Sequence, residues 1–126
     1  ENALPAPVNS FEAEQDTDGR WRKYVNDKLR SDYEPLYELM DYWVMLKVPA
    51  FEQVFSWRCE QEHKLAASLG DSGNNKVMSD DQIWDFIQYY QRLTEHGLSS
   101  LPQHCNKVFE LGKDRQIGDV KTPIKS

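Results

Sequence analysis

The residues that could do chemistry in this sequence fall into a few groups. Gly112-Lys113 is its one Gly-Lys pair, the kernel of a phosphate-binding loop. Such a loop needs Gly-x4-Gly-Lys-Ser/Thr, so that backbone amides wrap the phosphates while the hydroxyl holds magnesium. Here Asp114 follows the lysine and Lys107 stands where the first glycine belongs, so the chain encodes no P-loop. It carries no Gly-x-Gly-x-x-Gly either. Glu60-Gln-Glu-His63 would set a carboxylate and an imidazole on one helix face, the spacing of di-iron bundles, but a second such pair and further inward glutamates are missing. The run reads as a solvated face. His96 and His104 flank a turn and read as satisfied surface groups.

Cys59 falls on the apolar side of its helix beside Phe55, where a thiol is inert packing. Cys105 follows His104, but sequence neighbours seldom face each other as a nucleophile and its base must. The basic residues are more informative. Arg20, Arg22 and Lys23 open one helix, and Arg58 lies inside another that follows an apolar strand. Arginines so placed clamp a transferring phosphoryl group in α/β kinases. Composition alone favours the plainer alternative of surface salt bridges to neighbouring acids.

The elements that must position these groups follow from periodicity and breakers. Residues 1–16 contain Pro5 and Pro7 without a sustained period and read as an extended lead-in along a surface. Asp16-Thr-Asp-Gly19 starts a helix from Arg20 to about Ser31, with Trp21, Val25 and Leu29 in one stripe and Arg22, Lys23, Asn26 and Asp27 on the polar face. Pro35 limits its continuation, and residues 36–40 form a short second helix. The run Tyr42–Val48 is apolar without alternation and ends at Pro49, which suits a central strand buried on both faces. A long helix then spans Ala50 to Leu69, stopped by Gly70. Asp71 to Lys76 is a turn-rich loop. Ser79-Asp-Asp-Gln82 matches the capping box of a helix with Ile83, Phe86, Ile87, Tyr90 and Leu93 at helical spacing. Lys107–Leu111 alternates and reads as a second strand, and the tail 118–126 lacks packing signals. Two strands separated by helices are parallel.

Length and composition bound the rest. A chain of 126 residues is one domain, and with 39% hydrophobic and 29% charged residues it is globular. A net charge of -6 opposes nucleic acid and anionic membranes as partners. The apolar run Tyr42–Leu46 is far shorter than the ~20 residues of a membrane span. Two cysteines cannot form a disulfide framework, which points to a reducing cytoplasm.

Four segments carry a family resemblance: Pro7–Glu12, Asp18–Leu29, Phe51–Glu62 and Phe86–Thr94. Together they resemble the C-terminal half of D-glycerate 3-kinase-like P-loop kinases, relatives of uridine kinase and P-loop pantothenate kinase. The specific parts are the Trp57-Arg-x-Glu-Gln-Glu62 helix and the Trp21-Arg-x-Tyr-Val-Asn26 helix. The resemblance covers about residues 5–117, and divides the chain into a lead-in at 1–16, a kinase-like part at 17–117 and a flexible tail at 118–126. It implies a partial three-layer α/β P-loop kinase fold, mostly helical with two parallel strands near 42–48 and 107–111, using ATP and magnesium to phosphorylate a small acceptor such as D-glycerate. Arg58 then lies on a lid-like helix as the catalytic, phosphate-facing residue. Arg22, Asn26 and Asn9 lie on the acceptor side, and Asn106 lies near the nucleotide.

The resemblance also implies that the Walker A strand and loop, with the acid that helps hold magnesium, belong upstream of Glu1, so this stretch alone does not catalyse transfer. Two readings follow. In one, the chain is completed by an N-terminal P-loop half. In the other, it is a non-catalytic module that self-associates or binds a partner through its uncovered apolar faces.

Overall fold

The computed structural model describes residues 6–70 and 76–124; the turn-rich reading of 71–75 and the start of the lead-in lie outside them. Helix α1 (Ser10–Gln15) begins within what the sequence suggests is extended chain. Its start is local chemistry: Asn9 Oδ1 accepts the Glu12 amide at 2.9 Å, and the Glu12 carboxylate accepts the Val8 amide at 2.9 Å. The polar pair at spacing three outweighs the absence of an apolar period in so short a helix.

Helix α2 (Arg20–Lys28) runs without a break into a π turn at Leu29–Tyr33 and a last α turn, α3 (Glu34–Tyr37). Pro35 follows directly on the π turn, whose wider spacing lets the helix continue past a residue that has no N–H to donate. The apolar stripe of α2 is not its buried face: Trp21 is 65% exposed, whereas Arg22 is 8% exposed. The reason is electrostatic, since Arg22 is drawn to carboxylates on the preceding segment.

The buried core is a helix pair. Helices α4 (Phe51–Leu69) and α5 (Asp80–Ser100) enclose Phe51, Cys59, Ile83 and Ile87, with Phe55 and Met78 packed against them. The capping box forms as read: Ser79 Oγ accepts the Gln82 amide and the Gln82 side chain accepts the Ser79 amide. Gly70 ends α4 at φ 59.

Strands β1 (Val44–Lys47), β2 (Lys107–Leu111) and β3 (Ile117–Lys121) form one sheet in that order. β1 and β2 are parallel, as expected, with Val44 opposite Lys107. Two expectations are corrected. The residues read as a flexible tail from 118 supply β3, antiparallel to β2. A tight turn folds it back, with Gly112 N–H donating to Gln116 O at 2.9 Å and Asp114 Oδ1 accepting the Gln116 amide. Because all five β3 residues are exposed, backbone pairing rather than burial holds the strand, so no apolar pattern announces it. Consequently β2 is the central strand, and β1 is an edge among the described residues, with Val44 and Leu46 exposed rather than buried on both faces.

Candidate functional site

The groups with chemical potential converge where α1, α2 and α5 meet. Helix α1 contributes Glu12, its C-cap Asp16, α2 contributes Arg22, and α5 contributes Arg92. Arg92 donates from Nε to Glu12 Oε1 at 2.9 Å and from Nη2 to Oε2 at 2.7 Å. Arg22 Nη1 donates to the same Oε2 at 3.4 Å, and its backbone amide donates to Asp16 Oδ2 at 3.0 Å. Asp16 Oδ1 accepts the Trp21 amide at 2.8 Å, so this carboxylate also caps α2. The four side chains are almost fully enclosed.

Gly19 makes room for the arrangement. It holds φ 70, and a Cβ there would stand 2.9 Å from Arg22 Nη2. Only a residue that adopts the left-handed region and lacks a side chain allows both the turn and the guanidinium.

Burial alone would raise the Glu12 carboxyl, but the bonds from Arg92, the Val8 amide and Arg22 outweigh it and hold the group below its ordinary value. Two donors are enclosed by protein without a hydrogen bond, Arg22 Nε and Arg92 Nη1, the former 3.5 Å from Asp16 Oδ2. A buried N–H without an acceptor costs roughly 1–3 kcal/mol, which the ion pairs of the quartet offset.

Both arginines line a cavity of about 500 Å³. Glu12, Asp16, Asn26 and Gln88 share its wall with Phe11, Trp21, Val25, Tyr89 and Leu93. The carboxylates are committed to the arginines and backbone amides, which occupy the oxygens a general base would need.

The structure therefore brings Arg22 and Asn26 into one cavity, while Asn9 stands beside it and is not among the lining residues. Asn9 Nδ2 donates to Gln88 O and to Gln91 Oε1, each at 3.0 Å, and so ties α1 to α5. Arg58 is on α4, bound through Nη2 to the buried Glu62 at 2.6 Å and through Nη1 to Gln61 at 2.9 Å. Glu62 Oε2 in turn accepts the Met78 amide, which fixes the guanidinium against the entry to α5. Asn106 precedes β2; its Oδ1 accepts the Trp43 amide at 2.8 Å and its own amide donates to Trp43 O.

Other candidates resolve into packing. Burial pushes both the Cys59 and Cys105 thiols up, away from the reactive thiolate. Glu60 binds Lys64 and Arg115, and His63 binds Asp80 at 2.8 Å. No cluster of three or more metal-ligating side chains occurs among the described residues. No helix among them is long and apolar enough to cross a membrane. Sequence reading missed Glu12, Asp16, Arg92 and Tyr89. The Asn9-x-x-Glu12 capping pattern was the available signal for Glu12; Arg92 lies 80 positions from its partner and left none.

No family model matches the chain. Its sequence is 36% identical over 67 residues, 53% of this chain, to the uncharacterized kinase mug58 of Schizosaccharomyces pombe, spanning 22% of that protein. Its fold matches D-glycerate 3-kinase from Cryptococcus neoformans var. grubii with a TM-score of 0.60 at 23% identity, over 93% of this chain and 46% of that one. The chain thus spans about a fifth of the one relative and just under half of the other. A mostly helical α/β arrangement with a small mixed sheet, matched over nearly its whole length, gives this chain the fold of about half of a D-glycerate 3-kinase, as the resemblance in its sequence implies.

Proposed function

We propose that the chain is the acceptor-binding part of an ATP-dependent small-molecule kinase of the glycerate kinase type. The observation that carries this reading is the enclosed Glu12, Asp16, Arg22 and Arg92 quartet in the wall of a cavity large enough for a small substrate. The kinase relative and the kinase-like fold support the reaction class.

In this reading Arg22 and Arg92 hold oxygens of the acceptor, and Asn26 orients the hydroxyl that receives the phosphoryl group. Arg58, braced by Glu62, faces the phosphates from α4, where a fixed cation stabilises charge developing on the transferring group. Asn9 acts by positioning α1 against α5, and Asn106 by pinning β1 beside β2. The described residues of this chain do not make a triphosphate cradle or a magnesium site, so no step is derived through either. ATP and magnesium belong to the remainder of the kinase, the N-terminal P-loop half that completes the cytoplasmic enzyme.

The test is ADP formation by the full natural polypeptide containing this sequence, with D-glycerate as acceptor. Arg22→Met is expected to lower turnover by at least roughly a hundredfold while circular dichroism is retained. Acceptor-dependent ADP formation unchanged by that substitution refutes the reading.

A second reading rests on a separate observation: Leu36, Leu39, Met40, Val44 and Leu46 are all exposed near the edge strand β1. A chain that self-associates through this face is a stable dimer without ATP turnover, which sedimentation distinguishes.

A further inference from the structure

We infer that the outer edge of β1 is the docking surface for a further strand, supplied by the remainder of the kinase, and that the opposite edge, at β3, is where the sheet ends. This rests on the kinase reading above only for the existence of that remainder.

The backbone carries the first part of the argument. Trp43 turns both its polar groups toward β2: its N–H donates to Asn106 Oδ1 at 2.8 Å, and its carbonyl accepts the Asn106 and Lys107 amides at 2.9 and 3.1 Å. Direction alternates along a strand, and Val44 lies opposite Lys107, so Val44 and Leu46 aim their N–H and C=O groups away from β2. No strand lies on that side among the described residues. A row of outward N–H and C=O groups is a template for another strand.

The side chains distinguish the two edges. On β1, Val44 is 52% and Leu46 64% exposed. Lys47, the one charged residue of the strand, reaches inward to Glu110 of β2 at 3.7 Å and so leaves the edge unguarded. On β3 the exposed run is Ile117-Gly-Asp-Val-Lys121, and charges of this kind blunt an edge. The Val120 amide is already taken by the Asp119 carboxylate at 2.8 Å. An antiparallel strand at one edge of an otherwise parallel sheet is a common ending, and here β3 supplies it. The apolar surface also continues beyond β1, where Leu39 and Met40 are exposed and Tyr37 packs edge-on against Trp43 at 5.5 Å.

The occupant follows from the fold match. Nearly all of this chain corresponds to 46% of D-glycerate 3-kinase, so more than half of such a fold lies outside the match and must meet this part somewhere. An apolar edge with unpaired backbone groups gains both hydrogen bonds and burial from a strand of that remainder. A second copy of the chain is the competing occupant.

The experiment is hydrogen exchange on the full natural polypeptide, read at single amides, at a concentration where sedimentation shows a monomer. Val44 and Leu46 are expected to exchange at least roughly a hundredfold more slowly than Val120. Exchange at Val44 and Leu46 as fast as at Val120 overturns the inference. Protection that appears only when the polypeptide dimerises, and is lost on dilution to the monomer, also overturns it, in favour of the second copy. ADP formation from a polypeptide with an unprotected β1 overturns this inference and leaves the kinase reading intact. Protection in a monomer that forms no ADP with D-glycerate supports the docking edge and counts against the kinase reading.

Discussion

Arg92 on α5 grips Glu12 on α1 side-on, through Nε at 2.9 Å and Nη2 at 2.7 Å, and so closes a loop of 80 residues around the candidate site. Nη2 also donates to Ala6 O at 2.7 Å. One guanidinium therefore ties the N-terminal segment to the core helix pair, its third nitrogen enclosed without a hydrogen bond.

Removing one partner of this enclosed pair strands the other. Arg92→Met is expected to cost about 3 kcal/mol, because an uncompensated buried carboxylate remains. The midpoint of urea unfolding measures it. Combining Arg92→Met with Glu12→Leu is expected to recover part of that loss, which a double-mutant cycle reads directly.

The pH dependence follows from the same contact. The folded-state Glu12 carboxyl titrates below its ordinary value of 4.5. Its contribution to stability is fully present above that ordinary value and fades as pH falls through the lower folded value. Unfolding free energies measured from pH 6 downward are expected to drop more steeply in the wild type than in Glu12→Gln, which lacks this titration. Parallel slopes contradict the assignment.

Arg115 presents a different balance. It adopts φ 64 in the β2–β3 turn, where glycine is favoured, yet its guanidinium lies over the Trp57 ring at 5.3 Å and pairs with Glu60 at 2.6 Å. Trp57 Nε1 donates to Lys113 O at 3.0 Å, so α4 holds the turn at two points. Arg115→Gly relieves the backbone while losing the side-chain contacts, and Arg115→Ala loses the contacts while keeping the strain. Alanine is therefore expected to be the less stable by about 1 kcal/mol. Thermal unfolding of the two variants decides it.

The capping box of α5 gives a simpler expectation. Ser79→Ala removes the acceptor for the Gln82 amide and is expected to cost about 1 kcal/mol in denaturant unfolding, without altering the cavity at Arg22.

What could be read in the sequence was local or came through resemblance. Ser79 and Gln82 announced α5, Gly70 closed α4, and the Trp-Arg motifs pointed to the kinase-like fold that the comparison with a solved structure bears out. The Glu12 to Arg92 pairing was not legible, because no short-range pattern encodes a contact across 80 positions. Arg22 looked like a polar-face residue for the same reason: its burial depends on carboxylates outside its own helix. β3 escaped because an exposed strand held by backbone bonds has no apolar signature; with it β2 takes the centre, and the apolar run at β1 is an edge among the described residues.

The most direct test of the acceptor-site account is steady-state kinetics of the full natural polypeptide with Asn26→Ala, a half-buried residue on the cavity wall. The account predicts that KM for D-glycerate rises by roughly tenfold or more while KM for ATP stays at its wild-type value. An unchanged KM for the acceptor, or a rise confined to ATP, contradicts it.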